Sequence, residues 1–299
     1  MVAPVLAQTK SHLCNLFKIN GSTYPATSIT LKDNATQLAI EDKIIANIPT
    51  QHPQDEIPIT LDGKAIYCVA GTLTADLVKE AASTGQFIIY GSINHNDRNY
   101  IQSYTNGAKS IKFINIDGEQ VTSLQQILDE SEASSVTFEN CNFSKVWTLL
   151  NAFSNMSNLT SFSFKGMGLT NKLTELRFMF FSCKKLESVD FCNCDFSSVN
   201  NLYSMFSNCS ALKSIDFSGC NLTSVSSTGN MFNSCSALES IDFSNCDFSN
   251  VTTKQYYMFA GCKALKEIKA IGCNEATIAF LKDRLNDAGL TNQVTLTVK

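Results

Sequence analysis

The chain has 299 residues, 44% of them hydrophobic and 17% charged, with a formal net charge of −4 and a pI near 5.4. That composition suffices for a sizeable core and excludes the disordered class. The lysines and arginines are scattered, which leaves no basic stripe for nucleic acid, and no run reaches the ~18 uninterrupted apolar residues of a membrane-spanning helix.

Length permits two domains or one elongated array, so periodicity has to decide the architecture. Residues 1–10 lack a charged segment followed by an apolar one, so the chain is expected either to remain unexported or to have lost its signal already. Residues 1–60 show no repeat; segments 13–19, 28–31 and 37–45 read as short strands between turn residues, forming a small β-rich domain or a β cap. Residues 61–108 read as a leader into a repeat array, with strands over 66–69 and 87–90 and a brief helix over 76–82.

From there the pairs Ala152-Phe153, Met179-Phe180, Met205-Phe206, Met231-Phe232 and Met258-Phe259 recur at steps of 27, 26, 26 and 27. After each comes a second phrase, clearest as Leu212, Ile215, Phe217, Cys220, Leu222 and Val225, with the spacing LxxLxLxxCxLxxV. Degenerate copies run upstream through Val136, Phe138, Cys141 and Phe143 to Ile111, Phe113 and Ile116, giving seven rungs, with an eighth at Ile88, Tyr90 and Ile93. The alternation around Ile215 and Phe217 is that of a strand with one buried face, and one rung cannot cover that face alone, so rungs must stack into a parallel sheet. Leu202, Met205, Phe206 and Cys209 stand at i, i+3, i+4 and i+7, which predicts a short helical turn on the return leg. The fold class is therefore an α/β repeat solenoid of 26–27-residue leucine-rich rungs over residues 109–274, its parallel sheet on the concave face. Residues 275–299 read as a C-terminal cap, a helix stopped by Gly289 and then an edge strand over 294–298.

The phrase MFSNCSALKSIDFSGCNLTSV resembles the repeat of BspA-like leucine-rich-repeat surface proteins of bacteria. The leader AGTLTADLVKEAASTGQFIIYGSINHND and the ending CNEATIAFLKDRLNDAGLTNQVTLTV are similar to segments that flank such repeats in gut Bacteroidetes proteins, so the likeness spans roughly residues 60–299. The resemblance implies a secreted or lipid-anchored cell-surface protein that adheres to host proteins or to other cells.

Of twelve cysteines, nine fall on repeat positions. Cys141, Cys194, Cys220, Cys246 and Cys273 follow the strands at the bend, and Cys183, Cys209, Cys235 and Cys262 form a second column on the return legs. Two ladders of reduced, buried cysteine are expected, acting as small hydrophobes and weak S–H donors; the competing reading is a disulfide within a rung, such as Cys209 with Cys220. A zinc site is not expected, because ligands spread along an axis do not converge on a point. Cys192 stands where the alternation points outward and reads as an exposed thiol.

The outward strand residues make columns one repeat apart. Asp190, Asp216 and Asp242 stack in one, flanked by Ser188, Ser214 and Ser240 on one side and by Cys192, Ser218 and Ser244 on the other. Strands ~4.8 Å apart bring these carboxylates together, a repulsion that a divalent cation, serine hydroxyls or a basic partner can offset. This column is the candidate ligand surface; the competing reading is a solvated acidic ladder that keeps the sheet soluble. A further column, Asn142, Asp195, Asn221, Asp247 and Asn274, suits capping of turn backbone, and Tyr203, Tyr256 and Tyr257 near the return legs offer either contact surface or packing between rungs. His12, His52 and His95 lie outside the repeats and in no catalytic motif, and no nucleotide or acyl-transfer signature occurs. The expectation is a non-enzymatic recognition or adhesion protein without cofactor, binding an extracellular protein or glycan, with a structural spacer as the alternative and an N-terminal catalytic domain as a distant third.

Overall fold

The computed structural model describes strand backbones between residues 16 and 92, then residues 101, 108–191, 194–251 and 256–299. The expected helix over 76–82, Ile93 and the outward thiol Cys192 lie outside the described residues.

The chain begins with antiparallel pairing and converts to parallel stacking. Strand β1 (Leu16–Ile19) pairs antiparallel with β2 (Ser22–Pro25) and with β6 (Ile57–Leu61), and β6 pairs antiparallel with β7 (Lys64–Ala70). Strands β3 (Ile29–Lys32), β4 (Gln37–Ile40) and β5 (Lys43–Asn47) make a separate antiparallel sheet. The segment read as one strand over 37–45 is thus a hairpin, with Ile40 opposite Lys43. From β7 onward every neighbour is parallel: β8 (Gln86–Ser92), β9 (Ser110–Asp117), β10 (Ser135–Glu139), β11 (Ser161–Ser163) and β12 (Ser188–Asp190). A second parallel sheet continues with β13 (Ser214–Asp216), β14 (Ser240–Asp242), β15 (Glu267–Lys269) and β16 (Thr295–Thr297). The result is a parallel-sheet solenoid of about seven turns with little helix. Its first sheet runs continuously past residues 60 and 108, where sequence reading set segment boundaries.

Among the described residues the return legs carry tight turns in place of the expected helical turns, and the backbone shows why. Along residues 202–209 the N–H groups of Leu202, Ser204, Phe206 and Asn208 donate across to the next rung, to the carbonyls of Ser227, Gly229, Met231 and Asn233 at 2.8–2.9 Å. The alternate N–H groups of Met205, Ser207 and Cys209 donate three residues back, to Leu202, Ser204 and Phe206. The Tyr203 N–H goes to the Asn201 side chain. An α-helix needs every amide for its own i−4 carbonyl, so the cross-rung ladder and the helix are exclusive. Spacing i, i+3, i+4, i+7 fits a string of three-residue turns as well as a helix, which is why the apolar pattern misled. Each turn is closed by a left-handed residue: Phe178, Ser204 and Asn230, all with φ of 55°, and then Tyr257 with 64°. A second such column runs through Ser182, Asn208, Ser234 and Gly261. A non-glycine residue costs ~1–2 kcal/mol there, an amount offset by ladder hydrogen bonds of ~0.5–1.5 kcal/mol each.

The core is a double spine of phenylalanine. Phe153, Phe180, Phe206, Phe232 and Phe259 stack along the return legs with ring centroids 5.5–6.1 Å apart. On the strand side Phe191 stacks on Phe217 at 4.6 Å and Phe217 on Phe243 at 5.6 Å. An edge contact of Phe206 with Phe217 and a tilted one of Phe232 with Phe243, both at 6.5 Å, join the two stacks. Exact repetition at 26–27 residues places identical rings above one another, so the aromatic contacts enforce the register that the backbone bonds require.

Helix α1 (Glu275–Asp287) covers the last rung. Asn274 caps it by accepting from the Thr277 N–H at 2.8 Å, while the Thr277 hydroxyl accepts from the Phe248 N–H at 2.8 Å, tying helix to array. Leu281 and Leu285 are buried, and Gly289, at φ 70°, turns the chain toward β16.

Truncating a ring in mid-stack removes contacts with two rungs at once. Phe206→Ala is expected to destabilise the array by ~3–5 kcal/mol in urea unfolding, whereas Lys184→Ala on the surface changes it by less than ~0.5 kcal/mol.

Candidate recognition surface

Strand pairing aligns part of the outward columns. Ser163 pairs with Asp190, Asp216 with Asp242, and Asp242 with Lys269, while Ser214, Ser240 and Glu267 run beside them. Ser188, Asp190, Ser214, Asp216 and Ser218 are exposed, and Ser240, Asp242 and Ser244 are half-buried.

Each carboxylate has a local partner. Asp190 accepts from the Ser163 hydroxyl at 3.0 Å. Asp216 accepts from the Ser218 N–H at 2.7 Å and Asp242 from the Ser244 N–H at 2.9 Å, the geometry of an Asx turn at the strand end. The Lys269 ammonium lies 3.9 Å from Asp242. Strand-end amides, a serine and a lysine are the partners of the row, where sequence reasoning offered a divalent cation among the candidates. Among the described residues no three histidine, cysteine or acidic side chains converge as metal ligands, so the Asp column is a row and not a cage.

Sequence reading overlooked a charge ladder one column away. Glu187 pairs with Lys213 at 2.7 Å and Glu239 with Lys266 at 2.8 Å, each across one rung step. The pairing with Glu187, reinforced by the next glutamate, raises the Lys213 pKa, and Lys266 lowers that of Glu239. The signal was present as alternating Glu and Lys in the slot before each strand, at Glu187, Lys213, Glu239 and Lys266. Such exposed pairs contribute little to stability but set which rung sits on which.

The Asn/Asp column after the cysteines caps turns. Asp195, Asn221 and Asp247 accept from the N–H groups of Ser197, Thr223 and Ser249 at 2.9, 3.2 and 2.8 Å. Hydrogen bonds from Ser197 and Ser249 hold the Asp195 and Asp247 carboxyls below their ordinary range.

The nine repeat cysteines are free thiols. On the return legs Cys183, Cys209, Cys235 and Cys262 donate to the carbonyls of Phe153, Phe180, Phe206 and Phe232 in the preceding rung at 3.0–3.1 Å. The Phe180, Phe206 and Phe232 carbonyls also accept the closing turn bond of their own rung, so each cysteine clips one turn to the next. After the strands, Cys246 and Cys273 do the same to Phe217 and Phe243 at 3.1 Å, and Cys141 reaches the Phe113 carbonyl at 3.5 Å. Burial pushes these thiols up: Cys141 and Cys220 to about 11, Cys262 to about 12, and Cys209 and Cys235 well above the ordinary value.

The outer turns carry most of the large exposed hydrophobics: Trp147, Tyr256 and Tyr257. Tyr203 is half-buried against Phe178, with its hydroxyl accepting from the Asn230 amide at 3.0 Å. A shallow open groove follows the same side, between the Ser182-Asn208-Ser234 column and Lys184 and Lys263.

Residues 168–271, which hold the four strands from β12 to β15, match the family described as "Mycoplasma protein of unknown function, DUF285". The chain is similar to that repeat family over about a third of its length. No curated protein matches the chain.

The buried, raised thiols make a chemical signature of the ladder. In the folded protein at pH 8, Cys183, Cys209, Cys235 and Cys262 are expected to resist iodoacetamide for hours and to alkylate together with global unfolding. Alkylation of this column in native buffer, mapped by peptide mass spectrometry, would contradict the packing.

Proposed function

We propose that the chain is a non-enzymatic recognition or adhesion protein of the cell surface or extracellular space, built as a BspA-like leucine-rich-repeat solenoid, that binds a protein or glycan through its outward strand columns. The observation that carries this reading is the repetition of one outward Ser-x-Asp element on successive strands, exposed at Ser188 and Asp190 and at Ser214 and Asp216, and half-buried at Ser240 and Asp242. A row of identical hydroxyls and carboxylates at a fixed step offers an extended partner the same contact several times, which multiplies weak contacts. The LxxLxLxxC frame and the 26- and 27-residue registers, as in Ser214 with Ser240 and Ser240 with Glu267, support the leucine-rich-repeat assignment.

The test is binding to immobilised extracellular-matrix proteins, mucins and glycans, with Asp190→Asn, Asp216→Asn and Asp242→Asn combined in a second protein. Asparagine keeps the side-chain oxygen that accepts the Asx-turn bonds at Asp216 and Asp242 and the Ser163 hydroxyl at Asp190, so the charge is removed without opening the strand ends. A ligand bound by the native chain and held at least about tenfold more weakly by the variant, with a melting temperature no lower than that of the native chain, is expected. A ligand held equally by both overturns the Asp column as the contact surface, and no binding across the panel favours a spacer without specific ligand.

A further inference from the structure

Among the described residues the parallel strand pairing of the solenoid is interrupted between β12 and β13. The two sheets end there, whereas the return legs of the same two rungs remain bonded throughout. At four positions along residues 176–182 the N–H groups of Leu176, Phe178, Phe180 and Ser182 reach the carbonyls of Asn201, Tyr203, Met205 and Ser207 at 2.8–3.1 Å.

Equivalent positions on neighbouring rungs measure the break. The N–H groups of Glu187, Glu239 and Lys266 donate to the preceding rung at 2.8–2.9 Å, but the bond of Lys213 to the Glu187 carbonyl is stretched to 3.5 Å. Phe164, Phe217 and Phe243 each donate to the next strand's last residue at 2.8–3.0 Å, and among the described residues no counterpart joins the Phe191 N–H to Asp216. Val189, at the centre of β12, is half-buried, whereas its counterparts Phe162, Ile215, Ile241 and Ile268 are buried.

Asp190, Asp216 and Asp242 are three like charges in successive rungs; Asp216 and Asp242 accept from strand-end amides, and Ser163 beside Asp190 and Lys269 beside Asp242 stand at the ends of the row. Asp216 sits between two carboxylates, and like charges on adjacent strands are destabilising. Pairing is kept on the side of Lys269 and lost on the side of Asp190.

We propose that the seam between β12 and β13 is a charge-sprung hinge. Repulsion between Asp190 and Asp216 loosens the strand pairing at the surface while the bonded return legs and the Phe191–Phe217 ring stack act as its spine, so that the blocks β9–β12 and β13–β16 flex about that line and change the curvature of the face. The Glu187–Lys213 ion pair, 2.7 Å across the seam, tethers the opening. The hinge needs no ligand and stands independently of the binding role.

Residue-resolved amide exchange by NMR supplies the test, because homologous amides serve as internal controls. In the native chain Phe191 and Lys213 are expected to exchange at least about tenfold faster than Phe164, Phe217, Phe243, Glu239 and Lys266, while Phe178, Phe180 and Ser182 stay protected. In Asp216→Asn, which keeps the Asx-turn acceptor, the Phe191 and Lys213 amides are expected to slow toward their homologues. Protection of Phe191 and Lys213 equal to that of their homologues in the native chain overturns the seam. Fast exchange at Phe191 and Lys213 that Asp216→Asn leaves unchanged overturns the charge-sprung hinge.

Discussion

Along each return leg the backbone amides divide between two tasks. Alternate N–H groups close a tight turn within their own rung, and those between them cross to the next rung, as Met205 and Phe206 do to Leu202 and Met231. Nothing else in the array is independent of this division. It fixes the turn conformation, forces left-handed residues at Ser204 and Asn208, and brings each rung's carbonyls within reach of the next rung's cysteine. A helix on the same leg would satisfy its own backbone but leave the rungs joined on the outer side by side chains alone.

Given that ladder, the interior is determined. Rungs repeating at 26 or 27 residues with bonded backbones superimpose like side chains, so phenylalanine stacks on phenylalanine and thiol on thiol. Cysteine suits the clip position because it is small enough for a buried column and still donates to a carbonyl that already holds one bond. Serine would bury a stronger polar group, and valine would leave the second lone pair of that carbonyl empty. On the strand face the same superposition is a liability, since it aligns charge as faithfully as it aligns rings. The chain manages this with Asx turns, with Ser163 and Lys269 at the ends of the Asp row, and with alternating Glu and Lys in the neighbouring column.

Much of this was legible from residue spacing. Inward and outward strand positions, the cysteine columns and the turn-capping Asn/Asp column emerge from a period of two within strands and 26–27 between them. The return leg was not, because Leu202, Met205, Phe206 and Cys209 describe one apolar face whether amides close onto i−3 or i−4; the choice is made by partners in another rung. The hairpin of β4 and β5 was hidden for a related reason, its turn lying inside a run that reads as one strand. The break between β12 and β13 was hidden because the strand phrases on its two sides, Ser188-Val189-Asp190 and Ser214-Ile215-Asp216, follow the same frame.

The division of amides on the return leg is also the feature most directly open to measurement, through scalar couplings transmitted across hydrogen bonds. In isotope-labelled protein the nitrogen of Phe206 should couple to the carbonyl carbon of Met231, and that of Asn208 to the carbonyl carbon of Asn233, each one rung away. Couplings from those nitrogens to the carbonyls of Leu202 and Ser204 instead would mean that the leg is helical and that the rungs are held together in some other way.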